Sequence, residues 1–164
     1  LDKKEIEFRF ENVSMHTIIE HAIETIEIQV HQRNGMINLH LNAEEPLIYG
    51  DYEHLTNLVS NLLDNAIKYS PDRLEITVIT RNNEKGLILC VEDKGIGMTK
   101  AVQSKIFERF YRQSSGNVHD VKGFGLGLNY SRSIIEAHKG HITVFSEPGK
   151  GSRFEIFLPF NWEN

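Results

Sequence analysis

The chain has 164 residues, enough for one domain with one sizeable core, and its 40% hydrophobic and 25% charged content is ordinary for a globular protein. A formal net charge of −5 argues against a nucleic-acid partner, which needs clustered Lys and Arg. No apolar run approaches the roughly 20 residues of a membrane helix and no signal peptide is evident, so direct membrane contact by this chain is not expected.

The chain opens on Leu rather than Met, which reads as a fragment of a longer parent, with residues 1–164 forming a single domain. Ile6, Phe8 and Phe10 alternate with charged residues, predicting a strand over 5–11 with one buried face. Ser14 is a candidate cap for a helix to about Arg33, since Ile19, Ala22, Ile23, Ile26 and Val30 follow helical spacing; Asn34-Gly35 ends it. Residues 36–41 and 47–49 read as short strands. Asp51 is placed to cap the most regular helix, which runs to about Tyr69. Its apolar stripe is Leu55, Leu58, Val59, Leu62, Leu63, Ala66 and Ile67, and Ser70-Pro71 stops it. Residues 73–80 and 86–92 read as paired strands, the second holding the only cysteine, Cys90, as a buried thiol. One cysteine forms no intramolecular disulfide, which suits a reducing compartment. Thr99 is expected to cap a short helix reaching about Phe107, and residues 113–122, with no apolar period, read as a mobile loop. A helix follows from about Leu126 to His138, ended by Gly140. A hairpin then pairs 141–146 with 153–158, turning Phe154, Ile156 and Leu158 to the core. These elements sum to an α/β two-layer sandwich: a mixed, mostly antiparallel sheet with three main helices on one face.

Three constellations carry chemistry. Asn61, Asn65 and Lys68 recur at i, i+4 and i+7 on the long helix, and so share a face. At 100° per residue Asn65 lies about 20° from Leu58, at the edge of the core. A neutral amide oxygen there suits Mg²⁺, and a Lys one turn away can meet phosphate as a point charge; alone, the pattern also fits a solvated polar face. Asp93-Lys94-Gly95-Ile96-Gly97-Met98 follows a strand. Its carboxylate can accept from an exocyclic amine such as that of adenine, its glycines admit a flat ligand, and Ile96 and Met98 offer apolar contact; alone, it is also an ordinary turn. Gly123-Phe124-Gly125-Leu126-Gly127-Leu128 opens a helix, where backbone N–H groups bind phosphate. Tyr130 takes the place of the last glycine of a dinucleotide fingerprint, and no P-loop is present.

In this order the three resemble the N box and the two glycine boxes of the histidine-kinase ATPase domain, which shares its ATP-binding fold with DNA gyrase and a mismatch-repair ATPase. Asn61-Leu-Leu-Asp-Asn65-Ala-Ile-Lys68-Tyr69-Ser70 resembles the N box. Phe107-Glu-Arg-Phe110-Tyr111-Arg112 resembles the F box, and Glu147-Pro-Gly149-Lys-Gly151-Ser152-Arg-Phe154 the C-terminal signature. The motifs span about 47–160, with 5–46 matching less specifically. The resemblance implies a Bergerat-type fold, ATP and Mg²⁺ as cofactors, and transfer of the γ-phosphate to a histidine in two-component signalling. Asn65 is then the metal ligand; Asn61, Lys68 and Arg112 are the catalytic candidates. Tyr69 lies near adenine, Asp93 reads its amine, and Gly95, Ile96, Gly97 and Met98 complete that side. Tyr111, Gly123, Phe124, Gly125, Leu126, Gly127 and Leu128 belong to the lid and phosphate side, with 113–125 as the ATP lid. Ser152 stands where the family more often has Thr and keeps the hydroxyl; Phe124 is bulky for its place. Phe107, Phe110 and Tyr111 also read as anchors of the lid.

His119-Asp120 is the one His-acid pair among eight histidines and lacks the proline that follows the family's phosphoacceptor. The acceptor is expected on an upstream dimerisation domain of the same parent, with a response regulator as the indirect partner. The parent is expected to be a membrane-bound sensor and this domain cytoplasmic. The alternatives are a regulatory nucleotide-binding module without transfer, or a related serine kinase.

Overall fold

The computed structural model describes residues 6–108 and 124–162, with 124–127 as backbone only. Strand β1 (Glu11–Ser14) leads through Ser14 into helix α1 (Met15–Glu24), the Ser14 hydroxyl accepting from the Thr17 N–H at 3.3 Å. The strand expected over 5–11 is therefore displaced: residues 6–10 join no ladder. Phe8 and Phe10 instead stack on each other, and Phe10 meets Trp162 edge-on at 4.6 Å. The helix expected to run to Arg33 breaks at Thr25-Ile26, and helix α2 (Glu27–Gln32) restarts the turn. The Thr25 hydroxyl takes the Ala22 carbonyl at 2.7 Å, a local bond that competes with the helical ladder. Asn34, in the left-handed region at φ 56°, ends α2.

Strands β2 (Met36–Leu41) and β3 (Leu47–Gly50) precede helix α3 (Tyr52–Lys68). Asp51 caps α3, accepting from the His54 N–H at 2.9 Å, and the whole apolar stripe is buried. Each buried Leu of that stripe contributes about 1.5–3 kcal/mol of transfer free energy. The C-terminal end is finished by a residue far away: Arg33 donates to the carbonyls of Ile67 (3.3 Å), Ser70 and Pro71 (3.1 Å). Those carbonyls lie where a helix end leaves acceptors unmet.

Strands β4 (Glu75–Asn82) and β5 (Gly86–Asp93), the short helix α4 (Lys100–Gln103) capped by Thr99, helix α5 (Phe124–Ala137), and strands β6 (His141–Glu147) and β7 (Gly151–Pro159) complete the chain. β1 pairs with β3; the main sheet runs β2-β4-β5-β7-β6, parallel only between β2 and β4. Ile76 and Val78 of β4, Leu87, Leu89 and Val91 of β5, and Phe154, Ile156 and Leu158 of β7 turn inward to meet α1, α3 and α5. This is the expected mixed, mainly antiparallel sheet with helices. Cys90 is buried as expected, but on the other side of β5, beneath the Arg81–Glu155 ion pair. Helix α5 begins at Phe124, two residues earlier than expected, and the left-handed residue after it is Lys139 (φ 64°) rather than Gly140. Among the described residues no helix is long and apolar enough to cross a membrane.

Candidate functional site

The site forms where the C-terminal end of α3, the loop after β5 and the start of β7 converge. Asn65, Tyr69, Asp93, Ile96, Gly97, Met98, Ser152 and Phe154 line one pocket. Seven of these eight are site residues expected from the sequence; Phe154 is expected there only as core. Asn65 is 7% exposed, and its Nδ2 is buried without a hydrogen-bond partner among the described residues. An unmet buried amide costs about 1–3 kcal/mol unless a ligand satisfies it. Lys68, one turn on, stands at the surface and pairs with Asp64 at 3.0 Å, and Asn61 is half-buried. Neither lines the pocket.

Asp93 ends β5 opposite Ser152 of β7. Burial pushes its carboxyl up to about 6, against the opposing pull of backbone N–H groups from Gly95 and Ser152. The Gly95 N–H reaches Oδ1 at 2.8 Å. The following loop is stitched to both neighbours: the Ile96 N–H donates to the Tyr69 carbonyl at 2.9 Å, and the Gly149 N–H to the Ile96 carbonyl at 2.7 Å. Here the glycines have a reason the sequence did not show. A Cβ on Gly95 would lie 1.9 Å from the Tyr69 carbonyl oxygen, and one on Gly97, at φ 71°, 1.9 Å from that of Glu147. Both let protein backbone approach protein backbone, which fixes the loop that faces the pocket.

Ser152 touches a second hydroxyl, Ser146 of β6, at 2.8 Å, and the same Ser146 Oγ accepts from the Met98 N–H at 2.8 Å. Sequence reading missed Ser146 because its role depends on a cross-strand register that places it directly opposite Ser152.

The Leu128 side chain is fully buried in the core and is not among the residues that line the pocket. Phe124, Gly125, Leu126 and Gly127 form the first turn of α5 rather than a loop before it. Tyr111, Arg112, Gly123 and nearly all of the expected lid over 113–125 lie outside the described residues. Phe107 packs against the core, its carbonyl accepting from Asn129 of α5 at 3.0 Å and its ring lying under Arg132. The lining fits a nucleotide: a largely buried carboxylate for an exocyclic amine, apolar Ile96, Met98 and Phe154 beside it, and Asn65, whose unmet Nδ2 can donate to an acceptor such as a phosphate or water oxygen while its amide oxygen is the atom suited to a metal.

Comparison with known proteins agrees with this arrangement. Residues 50–161 match the family described as histidine kinase-, DNA gyrase B- and HSP90-like ATPases. The chain is 40% identical over 160 residues to the sensor protein RprX of Bacteroides fragilis, covering 96% of this chain and 31% of RprX. It is 30% identical over 164 residues to the sensor histidine kinase WalK of Bacillus subtilis, covering 99% of this chain and 27% of WalK. The chain thus spans about a third or less of these relatives. Among solved structures, the catalytic domain of the histidine kinase ThkA superposes with a TM-score of 0.81 at 20% identity, covering 95% of this chain and all of that one, a likeness of fold. The mycobacterial sensor histidine kinase MprB gives 0.76 at 26% identity, covering 94% of this chain and 100% of that one.

Proposed function

Because the chain belongs to the histidine kinase-, DNA gyrase B- and HSP90-like ATPase family, and resembles the catalytic domains of sensor histidine kinases within it, we propose that it binds Mg·ATP in the Asp93 pocket and presents the γ-phosphate to a histidine on an upstream dimerisation domain of the same parent. The observation that carries this is the pairing, in one pocket, of the buried Asp93 carboxylate with the unmet amide of Asn65.

In this reading Asp93 accepts a hydrogen bond from the adenine amine, while Ile96, Met98 and Phe154 exclude water from the ring. Asn65 turns its amide oxygen to the metal, and Asn61 holds the phosphate side of the same helix face. Lys68 leaves Asp64 to meet phosphate, an exchange of one exposed partner for another that costs little. Mg²⁺, when bound, neutralises charge on the triphosphate. The first turn of α5 points backbone N–H groups toward anionic oxygens. Arg112, and Tyr111, Gly123 and the remainder of the 113–125 lid, are assigned to the terminal phosphate by resemblance. No residue of the pocket is placed as a general base, so catalysis here is positioning and charge stabilisation. The parent is a membrane-bound sensor in this reading, with this domain on the cytoplasmic side and a response regulator downstream.

Calorimetry of the chain with ATP, with and without Mg²⁺, tests the binding step. Asn65→Ala should abolish the Mg²⁺ dependence, and Asp93→Asn should weaken ATP by about tenfold or more, the worth of a hydrogen bond to a charged group. Equal affinity with and without Mg²⁺ in the parent chain would remove the metal role of Asn65. Labelled ATP with the upstream domain added should place phosphate on histidine. Phosphate on serine, or none, selects the serine kinase or the non-transferring module.

A further inference from the structure

The base end of the pocket is built from one cross-strand row: Ser146 of β6 lies opposite Ser152 of β7, which lies opposite Asp93 of β5. Three polar side chains therefore stand side by side, with Ser152 in the middle and in the pocket wall. The proton count across this row is determined by its outermost member. Ser146 Oγ donates to the Gly151 carbonyl at 2.9 Å. A serine hydroxyl has one proton, so with that proton committed Ser146 can only accept from its other neighbours. It accepts from the Met98 N–H at 2.8 Å and faces Ser152 Oγ at 2.8 Å. The second contact is a hydrogen bond only if Ser152 is the donor. The Ser152 proton then points away from the pocket.

We propose that Ser146 is a positioning residue for base selection: it draws the Ser152 proton out of the pocket, so that Ser152, like Asp93 beside it, offers the ligand only lone pairs. A wall of two acceptors attracts a 6-amino purine, whose amine carries two protons, and repels a 6-oxo purine, whose oxygen is itself an acceptor. Selection thus depends on a residue outside the pocket wall, through the direction of one O–H bond. This rests on the reading of the pocket as a purine site. Ser146 is also tied to the rest of the site, since its own carbonyl accepts from Gln103 Nε2 at 3.1 Å and the Met98 N–H it receives belongs to a pocket residue.

The test is calorimetry of the 164-residue chain with ATP and with inosine triphosphate, both with Mg²⁺. The parent chain should favour ATP. If it binds both equally, the purine-amine reading itself fails and this inference with it, a result visible before any variant is made. In Ser146→Ala the Ser152 hydroxyl is released to turn inward and donate to the 6-oxo group, so the ATP preference should narrow by about three- to tenfold, the worth of one neutral hydrogen bond. Ser146→Thr, which keeps the hydroxyl, should restore the parent ratio. In a Ser152→Ala background, Ser146→Ala should leave the ratio unchanged, because no hydroxyl remains to turn. A merely structural Ser146 would weaken both nucleotides alike; an unchanged ratio in Ser146→Ala, or equal losses, overturns the inference. Should Ser146→Ala lose its fold by circular dichroism, Ser152→Ala alone decides: it should weaken ATP and spare inosine triphosphate, and a loss confined to inosine triphosphate shows that the hydroxyl was already donating inward.

Discussion

Asp93 and His138 titrate in opposite senses, and both follow from what surrounds them. Asp93 is held up at about 6 by burial, so its charged form is the less stable one in the folded chain. Its folded value lies above the ordinary one; hence folding gains stability as pH falls through about 6 and loses it at neutral pH. The cost at pH 7.5 is up to about 3 kcal/mol, since each tenfold weakening of an acid is worth about 1.4 kcal/mol. Asp93→Asn should therefore raise the melting temperature at pH 7.5, by an amount that disappears near pH 4, even as it weakens ATP. A lower melting temperature at both pH values would show that Asp93 stabilises the empty fold. His138 shifts down because it is buried. Its Nδ1 donates to the Ile134 carbonyl at 2.8 Å and its Nε2 accepts from the Asp51 N–H at 3.0 Å, so only the neutral ring fits. Its contribution is complete above the ordinary imidazole value and is lost as pH falls through the lowered folded one. In an Asp93→Asn background, which removes the opposing gain from Asp93, the unfolding free energy should accordingly drop as pH falls below the ordinary histidine value of about 6.5, and adding His138→Gln should flatten that drop.

At the scale of elements, α3 matters most, because it carries Asn61, Asn65 and Lys68 and ends beside the pocket. Its C-terminal carbonyls are met by Arg33, which follows α2. Arg33→Ala should cost about 1.5–3 kcal/mol, the value of hydrogen bonds to a charged donor, read as a lower urea midpoint at unchanged slope. Arg33→Lys should recover only part, since a point charge cannot span three carbonyls. A loss below about 0.5 kcal/mol, the level of an ordinary exposed substitution, would mean that water serves those carbonyls equally well. The loop after β5 is held by the same helix end, through the bond from the Ile96 N–H to the Tyr69 carbonyl. Gly95→Ala would drive a methyl into that carbonyl, and should displace the loop and weaken nucleotide more than it lowers overall stability.

At the scale of the molecule, the two ends of the described chain meet. Phe8 and Phe10 from the first residues, Tyr49 after them, His138 from the end of α5 and Trp162 from the last residues form one aromatic group. Asp51 closes it, its Oδ2 accepting from the Arg9 N–H at 2.7 Å. Residues 6–10 are thus held without a ladder, the Arg9 N–H and the Phe8 and Phe10 rings finding side-chain partners. Trp162→Ala removes two aromatic contacts worth about 0.5–1.5 kcal/mol each. It should speed hydrogen exchange at Arg9 severalfold while leaving the amides of α3 unchanged. Uniform acceleration across the sheet would show instead that the clasp holds the whole fold.

By itself the sequence determined whatever is periodic or local. The α3 stripe, the caps Ser14, Asp51 and Thr99 and the terminal hairpin were legible because helix period, strand alternation and capping are set by neighbours a few residues apart. Family resemblance brought Asn65, Tyr69, Asp93, Gly97 and Ser152 to one site before their distances were known, and the pocket gathers them. What the tertiary structure alone decided is everything that joins distant segments. The Arg33 cap, the Ser146–Ser152–Asp93 row, the backbone contacts that require Gly95 and Gly97, and the ladder-free 6–10 segment each depend on partners between 6 and over 100 residues away. No local pattern encodes such a partner: it is brought within hydrogen-bond range only when the apolar faces of helices and sheet have already closed on each other, and the polar groups then take the neighbours that this packing provides.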